Sequence, residues 1–396
     1  MSSMSKPKIR FNGFTEDWEQ RKFGTMFKRR MERNNGQFDN TRWISVAKMY
    51  FQEPDKVTSN NIDTRTYVMR RGDIAFEGHS NAEYKYGRFV ANDIGDGIIS
   101  ELFPIYMHID DYDEAYWKYV IQIEEIMASK LLKCIEISYT SSNKLDEAFF
   151  LKEEILVPSL DEQQQIGNYF RKLDQLITLH QRKCEQTKKL KKFMLQKMFP
   201  QNGKAVPEIR FNGFTEDWEQ RKLGEVFQEY SKKNHPELQT LTIIQGSGTV
   251  FREESDRNLQ YDKSSLSGYK MVCENDFIVH LRSFEGGLEK SNHNGLISPA
   301  YHTFHGDNVD SRFYYSYFRS YEFIKHKLVP HVYGIRDGRS IDIDGMKTIK
   351  IPYTSYDEQK KIGDYIESLD HLITLHQRKC DELQNMKKFM LQNMFV

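Results

Sequence analysis

The sequence predicts an α+β protein in which two mixed α/β domains are separated by a long antiparallel two-helix coiled coil, with the pseudo-two-fold symmetry of an internal duplication. Three observations lead to this prediction. The fourteen residues IRFNGFTEDWEQRK occur at 9–22 and return unchanged at 209–222. Residues 161–199 align without gaps to residues 357–395, with 25 of the 39 positions identical. The sequences between these matched ends diverge, which indicates one fold that is used twice with different surfaces.

The composition is that of a folded protein with more than one core. The chain has 396 residues, of which 38% are hydrophobic and 13% aromatic, and this excludes a disordered chain. Its 57 basic residues balance its 57 acidic residues, so net charge alone does not indicate nucleic-acid binding. The charges are unevenly spread: residues 23–90 contain twelve Lys/Arg and eight Asp/Glu, whereas residues 91–155 contain five and fourteen. Only some surfaces therefore suit phosphates.

Targeting and metal-binding signals are missing from the sequence. No apolar segment approaches the length of a membrane span, and the start MSSMSKPKIRF lacks the apolar core of a secretory signal. We therefore expect a cytoplasmic protein that does not bind membranes. The four cysteines lie far apart without metal-ligand spacing, which argues against a disulfide framework and against a metal site.

The repeats set the expected domain boundaries. Between them, YVMRRGDIAFE (67–77) resembles YKMVCENDFIVH (269–280), and both inserts end on a strand that leads to a proline, so the inserts are expected to share a fold. The expected segments are a mixed domain at 1–155, a long helix at 156–199, a linker at 200–208, a mixed domain at 209–352 and a long helix at 353–396.

Each closing repeat predicts one long helix, because apolar residues recur at intervals of three and four. A serine followed three residues later by glutamate predicts a capping box at each helix start, with Ser159 and Glu162 in the first copy and Ser355 and Glu358 in the second. Cys184 and its repeat equivalent are interpreted as core packing. The predicted seam consists of Ile166, Phe170, Leu173, Ile177, His180, Cys184, Thr187, Leu190, Met194 and Met198, with their equivalents Ile362, Ile366, Leu369, Ile373, His376, Cys380, Leu383, Met386, Met390 and Met394.

The length of these helices predicts how they pair. At 1.5 Å per residue each would be about 58 Å long, so it needs a partner along its length, and its own copy offers the same seam. The second insert must join the end of the first helix to the start of the second, which favours an antiparallel pair. The shared segment LITLHQRKC would then face itself and place His180 near His376, which we interpret as fixing register rather than as chemistry.

Two motifs leave an enzyme open as an alternative. Asp73 followed by Glu83-Tyr84-Lys85 loosely matches the carboxylate and lysine arrangement of magnesium-dependent nucleases. The segment SPAY at 298–301 is similar to the tetrapeptide with which amino-group DNA methyltransferases hold a flipped base. Neither motif recurs in the other half, and no glycine-rich S-adenosylmethionine loop accompanies the second. We therefore predict no catalytic residues.

Polar residues in glycine-punctuated segments of the inserts are the better candidates for a functional site. Arginine reads guanine, asparagine reads adenine, and serine with backbone amides binds phosphate. For each of them an ordinary surface role remains open. The DNA-binding candidates are Arg70, Arg71, His79, Ser80, Asn81, Lys85 and Arg88 in the first insert, and Arg282, Ser283, Tyr333, Arg336 and Arg339 in the second.

Taken together, these features resemble the DNA specificity subunit of type I restriction-modification enzymes. The motifs that carry the resemblance are W-E-x-R-K-x-G at 18–24 and 218–224, and the Glu-Gln dipeptide at the start of each long helix. Each of them recurs at the corresponding place in both halves, and the resemblance covers essentially the whole chain.

The resemblance implies a non-catalytic subunit that binds double-stranded DNA. Each mixed domain would be a target recognition domain that reads one half of an asymmetric bipartite target. The helices would set the spacer length and bind modification subunits, expected to be two, through the seam residues. The modification subunits would carry S-adenosylmethionine, and restriction subunits attached through them would use ATP and Mg²⁺, so this chain would hold no cofactor. The alternative is a coiled-coil assembly adaptor without sequence-specific DNA binding.

Overall fold

The computed structural model describes residues 6–57, 61–138, 142–201, 204–255, 263–280, 282–334 and 340–396. They form two compact units. The first unit is Met1–His180 together with Arg378–Val396, and the second is Gln181–Gln377. The first unit is therefore assembled from two stretches of chain, whereas the second is continuous.

The first unit is mixed α/β. Its strands are β1 (Glu19–Lys22), β2 (Phe27–Arg30), β3 (Ile44–Ser45), β4 (Tyr50–Phe51), β5 (Thr66–Met69), β6 (Ile74–Glu77), β7 (Arg88–Ala91), β8 (Gly97–Ser100), β9 (Ile105–His108), β10 (Ile135–Glu136), β11 (Lys144–Leu145) and β12 (Glu154–Val157). Its helices are α1 (Phe23–Met26), α2 (Glu114–Val120), α3 (Glu124–Cys134), α4 (Glu147–Phe150) and the first part of α5 (Leu160–Lys197), with short 3₁₀ turns at Asn40–Arg42 and Pro54–Lys56.

The second unit repeats this plan. Its strands are β13 (Glu219–Lys222), β14 (Gln228–Tyr230), β15 (Leu241–Ile244), β16 (Gly248–Phe251), β17 (Lys270–Val272), β18 (Phe277–Val279), β19 (Glu289–Lys290), β20 (Gly295–Ile297), β21 (His302–His305), β22 (Val332–Tyr333), β23 (Ser340–Ile341) and β24 (Lys350–Tyr353). Its helices are α6 (Leu223–Val226), α7 (Ser283–Gly286), α8 (Ser311–Phe318), α9 (Ile343–Lys347) and the first part of α10 (Tyr356–Asn393), with a π-helical segment at Glu322–Leu328 and 3₁₀ turns at Arg252–Glu254, Lys263–Gly268 and Val329–His331.

The two inserts share one sheet topology. A four-stranded antiparallel sheet has the order β2-β9-β6-β7 in the first unit and β14-β21-β18-β19 in the second. The antiparallel pair β5-β8 corresponds to β17-β20, and the hairpin β3-β4 corresponds to β15-β16. The weak likeness of residues 67–77 to residues 269–280 therefore reflects equivalent strands, and the prediction of a duplicated, mixed α+β fold is confirmed.

Aromatic residues fill the core of each unit. In the first unit, Phe150 of α4 stacks on both Phe23 and Phe89, with ring centroids 4.6 Å apart in each case. In the second unit, Phe318 of α8 lies 5.5 Å from Phe227 and 5.0 Å from Phe277 of the sheet. Burial of such side chains supplies most of the stabilisation of a core.

The long helices pair antiparallel inside each unit. In the first unit, the Phe170 and Phe395 rings lie 5.7 Å apart, and further along α5 the Lys387 ammonium donates to Asp174 Oδ1 at 2.6 Å. In the second unit, the Lys191 ammonium donates to Asp370 Oδ1 at 2.6 Å. In the same unit the Cys184 thiol lies 3.8 Å from the carbonyl oxygen of Ile373, nearer the start of α5.

The burial of the predicted seam is uneven. Twelve of the twenty predicted positions are buried: Ile166, Phe170, Leu173, Ile177, Cys184, Met198, Ile362, Ile366, Leu369, Cys380, Leu383 and Met394. His180, Ile373 and His376 are partly buried. The prediction is wrong for Leu190 and Met386, which are 43% and 47% exposed. The last predicted positions, Met198 and Met394, are buried in the unit cores.

The opening repeat ties together the ends of the two helices. In the first unit, the Arg10 guanidinium donates to both carboxylate oxygens of Glu162 at 2.7 Å, and the Ile9 amide donates to the carbonyl of Asn393 at 2.9 Å. In addition, β1 pairs with β12, the strand that leads into α5. The two repeats are therefore preserved together because they form one frame around each insert.

The second unit has the same frame, and both copies correct the predicted capping box. Arg210 binds Glu358 at 2.6 and 2.9 Å, and the Ile209 amide donates to the carbonyl of Lys197 at 3.0 Å. The hydroxyls of Ser159 and Ser355 accept from the glutamate amides at 3.4 Å as predicted. The glutamate carboxylates, however, bind the arginines instead of the capping amides, because a buried carboxylate requires a cationic partner.

Candidate nucleic-acid interface

Carboxylates hold the two arginines that follow β5. The Arg70 guanidinium donates to Asp96 Oδ2 at 2.9 Å and also binds Glu32, and these contacts, that with Glu32 first, raise the pKa of Arg70. The same hydrogen bond lowers the pKa of the Glu32 carboxyl. Arg71 is more exposed and donates to Glu114 at 3.0 Å. Arg70 is therefore part of a fixed ion network, whereas Arg71 has one partner that it can exchange in water.

The other candidates of the first insert lie on the β6–β7 loop and at its end. His79, Ser80 and Lys85 are exposed there. The Asn81 side-chain oxygen accepts from the amides of Glu83 and Tyr84 at 2.8 and 2.9 Å, so Asn81 shapes the loop. Another candidate, Arg88 at the start of β7, lies over the Tyr84 ring, 4.8 Å from its centroid.

The structure thus divides these candidates into two groups. Arg70 and Arg71 precede β6, and His79 follows it. Because a β-strand rises about 3.3 Å per residue, the four residues of β6 place the two groups about 13 Å apart along the strand. The β6–β7 loop brings together the larger group, which consists of His79, Ser80, Asn81, Lys85 and Arg88.

The candidates of the second insert differ in exposure. Arg282 is exposed, whereas Ser283 is fully buried and its hydroxyl accepts from the His280 amide at 2.9 Å. Tyr333 is exposed on β22, which pairs with β23. Two further candidates, Arg336 and Arg339, lie outside the described residues.

The aspartates of the nuclease-like alternative hold turns. Asp73 is buried, accepts from Arg30 Nε at 2.5 Å and from the Arg70 amide at 2.8 Å, and burial raises its pKa. Its equivalent Asp276 accepts from the Cys273 amide at 3.1 Å and lies 2.6 Å from His305 Nδ1. Within the described residues, no group of three or more His, Cys, Asp or Glu side chains is placed to hold a metal ion.

Comparison with known proteins finds similarity to one family. The model of the Type I restriction modification DNA specificity domain matches residues 215–385. The Type I restriction enzyme MjaVIII specificity subunit of Methanocaldococcus jannaschii is 25% identical over 295 residues, which cover 70% of this chain and 68% of that protein. Over most of its length the chain is therefore similar to type I restriction-modification specificity subunits.

Two further similarities extend along most of the chain. The putative type I restriction enzyme MjaX specificity subunit of the same organism is 22% identical over 363 residues, which cover 87% of this chain and 81% of that protein. The crystal structure of the S subunit of a type I restriction-modification system from M. genitalium covers 99% of both chains, with a TM-score of 0.56 at 12% identity. The latter shows a shared fold. Among the described residues, none of the helices has the length and apolar character of a membrane span.

Two residues that shape the inserts were not predicted. Asn143 is buried beside β11 and links the β10–β11 hairpin to the β6–β7 loop, because its amide nitrogen donates to the Ser80 hydroxyl at 3.0 Å and its backbone amide to the Gly78 carbonyl at 2.9 Å. Glu289, fully buried on β19, accepts from the amides of Gly246 and Gly248 at 2.9 and 3.2 Å and thereby fixes the β15–β16 turn. Neither residue belongs to a motif.

Proposed function

We propose that this chain is the sequence-specific DNA-binding subunit of a type I restriction-modification complex. The observation that carries the proposal is the match of residues 215–385 to a DNA specificity domain. The first insert has the same sheet topology inside the same frame, so each insert reads one half of the target. Because the surfaces of the inserts differ, the target is asymmetric, and the helices set the spacer between its halves. The assembly adaptor is not favoured, since it gives no reason for a DNA specificity domain.

Within the first insert, the β6–β7 loop is the proposed reading element. His79 and Lys85 are exposed on it. Two amide hydrogens already occupy the side-chain oxygen of Asn81, so this residue orients the loop rather than reading adenine bidentately. Arg71 is placed to contact phosphate by exchanging its exposed carboxylate partner.

The helix pairs offer the proposed surface for modification subunits. Each unit exposes four large apolar side chains at equivalent positions of its long helices, between 41% and 55% exposed. They occupy equivalent repeat positions: Leu176, Leu179, Met386 and Phe389 in the first unit, and Leu372, Leu375, Leu190 and Phe193 in the second. Exposed apolar side chains recurring in this way indicate protein docking. We assign one modification subunit to each set, hence two per chain, with restriction subunits bound through them.

Catalysis belongs to the partner subunits under this proposal. Methylation with S-adenosylmethionine is assigned to the modification subunits, and cleavage that depends on ATP and Mg²⁺ to the restriction subunits. In this chain, Asp73 and Asp276 are used to hold turns.

Mapping of methylated adenines tests the proposal directly. The chain is co-expressed with its modification subunit, and host DNA is read by single-molecule sequencing. We expect methylation at one asymmetric, gapped motif. Replacing the second insert with that of a relative should change one half of the motif and leave the other unchanged. Active methylation without any sequence motif would favour the assembly adaptor over the DNA-binding subunit.

A further inference from the structure

Each unit has a groove beside its helix pair, and equivalent repeat positions line the two grooves. The groove of the first unit measures about 640 Å³ and that of the second about 810 Å³. Ile177 and Leu391 contribute to the first, and their equivalents Ile373 and Leu195 contribute to the second. These residues form an apolar floor in each groove, and this floor is therefore common to both copies of the repeat.

The charge around the floor has opposite sign in the two units. Among the described residues, the second groove has seven cationic and two anionic side chains, whereas the first has two cationic and four anionic ones. The lysines of the second groove are Lys188, Lys191, Lys192, Lys204, Lys327 and Lys350. A chance scatter of surface lysines does not account for the inversion, because Lys191 and Lys192 recur as Lys387 and Lys388 in the first groove. The inserts contribute part of the difference, with Lys327 and Lys350 lining the second groove and Glu124 and Glu125 lining the first. The helix contributes Lys188, whose equivalent in the first groove is Gln384, and the linker contributes Lys204.

Several of these lysines are not neutralised within the protein. Lys191 is bound to Asp370 and Lys188 to Glu185. Lys192, Lys204 and Lys350 are exposed, and no described carboxylate lies within salt-bridge distance of them. The groove therefore presents three exposed lysines that form no salt bridge with the described residues, above an apolar floor.

From this combination we infer that the groove of the second unit binds an amphipathic helix of the modification subunit that carries acidic residues beside its apolar face. A helix in a groove buries apolar anchors, and flanking charges select the partner. Leu195, Phe199 and Ile373 would receive the anchors, and the lysine rim would pair with the acids. DNA phosphate would leave the apolar floor without a partner. Since the first groove is acidic, the same helix is disfavoured there, so two identical modification subunits bind this chain with unequal affinity. This inference rests on the proposed function.

A matched pair of substitutions tests the inference, because Lys192 and Lys388 occupy the same place in the repeated segment KKFMLQ. The full chain is titrated with its modification subunit, and mass photometry measures the dissociation constants of the first and second copies at two salt concentrations. We expect Lys192→Glu combined with Lys204→Glu and Lys350→Glu to weaken the tighter site by about ten- to a hundredfold at low salt. Lys388→Glu should leave that site unchanged.

The remaining outcomes decide against the inference in distinguishable ways. Unchanged binding and salt dependence in the triple variant would overturn it while leaving the proposed function intact, and so would an equal loss in Lys388→Glu. Normal assembly with a loss of DNA affinity at every sequence would assign the groove to DNA phosphates instead. Failure of the unaltered chain to bind its modification subunit would overturn the proposed function itself. The neutral variant, with glutamine at the same three positions, keeps the side-chain length and should lie between the two extremes.

Discussion

Removal of Arg10 should destabilise the first unit more than removal of Arg210 destabilises the second, although both lie in identical fourteen-residue segments. Glu162 and Glu358 are almost completely buried. Glu358 also accepts from the Trp218 indole at 3.0 Å and from the Thr354 hydroxyl. Position 158, which corresponds to Thr354, is a proline, and the Trp18 indole nitrogen has no acceptor among the described residues.

The expected magnitudes follow from this difference. Breaking a buried pair by removing one partner costs about 3–5 kcal/mol, which we expect for Arg10→Ala. We expect about 2–3 kcal/mol for Arg210→Ala, because hydrogen bonds to a charged group are worth about 1.5–3 kcal/mol each and two remain. At about 2–4 °C per kcal/mol for a unit of this size, the transition of the first unit should fall by roughly 6–20 °C.

Differential scanning calorimetry of the full chain measures these shifts, with hydrogen exchange to assign each transition to a unit. The control is Arg10→Met combined with Glu162→Gln, which removes both charges and should recover most of the loss. Equal shifts for Arg10→Ala and Arg210→Ala would refute the reasoning. A double variant as unstable as Arg10→Ala would show that packing, rather than the unpaired carboxylate, causes the loss.

Three further predictions test other features of the fold. Gly167→Ala should lower the free energy of unfolding by about 1–3 kcal/mol, measured by thermal unfolding. The loss should exceed that of Gly363→Ala, because the added Cβ would lie 2.1 Å from a capping aspartate oxygen at position 167 and 2.7 Å from one at position 363. A smaller loss for Gly167→Ala would contradict this. Burial lowers the pKa of His108 to about 3, so this residue stabilises the first unit above pH 6.5 and loses that contribution as the pH falls towards 3. Below pH 6, urea unfolding of His108→Phe should therefore diverge from the parent by about 1.4 kcal/mol per pH unit, and parallel curves would exclude the effect. Glu289→Gln should weaken its ion pair with Arg319 and loosen the β15–β16 turn; in methylation mapping it should relax one half of the target, and relaxation of both halves would count against independent inserts.

The long helices and the duplicated topology could be predicted because their signals are local or repeated. The spacing of apolar residues in 161–199 depends on the helix alone, and the observed helix ends at Lys197. Leu190 was assigned wrongly to the seam because the same spacing serves a buried face and an exposed apolar face. The glutamate of the capping motif was also misassigned, since its arginine partner lies 152 residues away in the chain.

The details of the inserts depend on tertiary contacts that sequence spacing does not encode. The position of Asn143, 63 residues from Ser80, determines how two loops of the first insert meet. Glu289 reaches the β15–β16 turn from a strand 41 residues further along. Ser283 was predicted to be a DNA-binding candidate beside Arg282, but it is buried in a turn, where its hydroxyl accepts from the His280 amide. The residues that contact DNA therefore remain predictions.

The division of the chain also determines the order in which its parts can be completed during synthesis. The second unit comprises one continuous stretch, Gln181–Gln377, whereas the first requires Arg378–Val396. The insert that leaves the ribosome first must therefore wait for its helix partner until the other unit has been made, and contacts of such long sequence separation form slowly. Loss of the segment after residue 377 would consequently expose the core of the first-made insert, around Phe170 and Tyr116, where Phe395 packs.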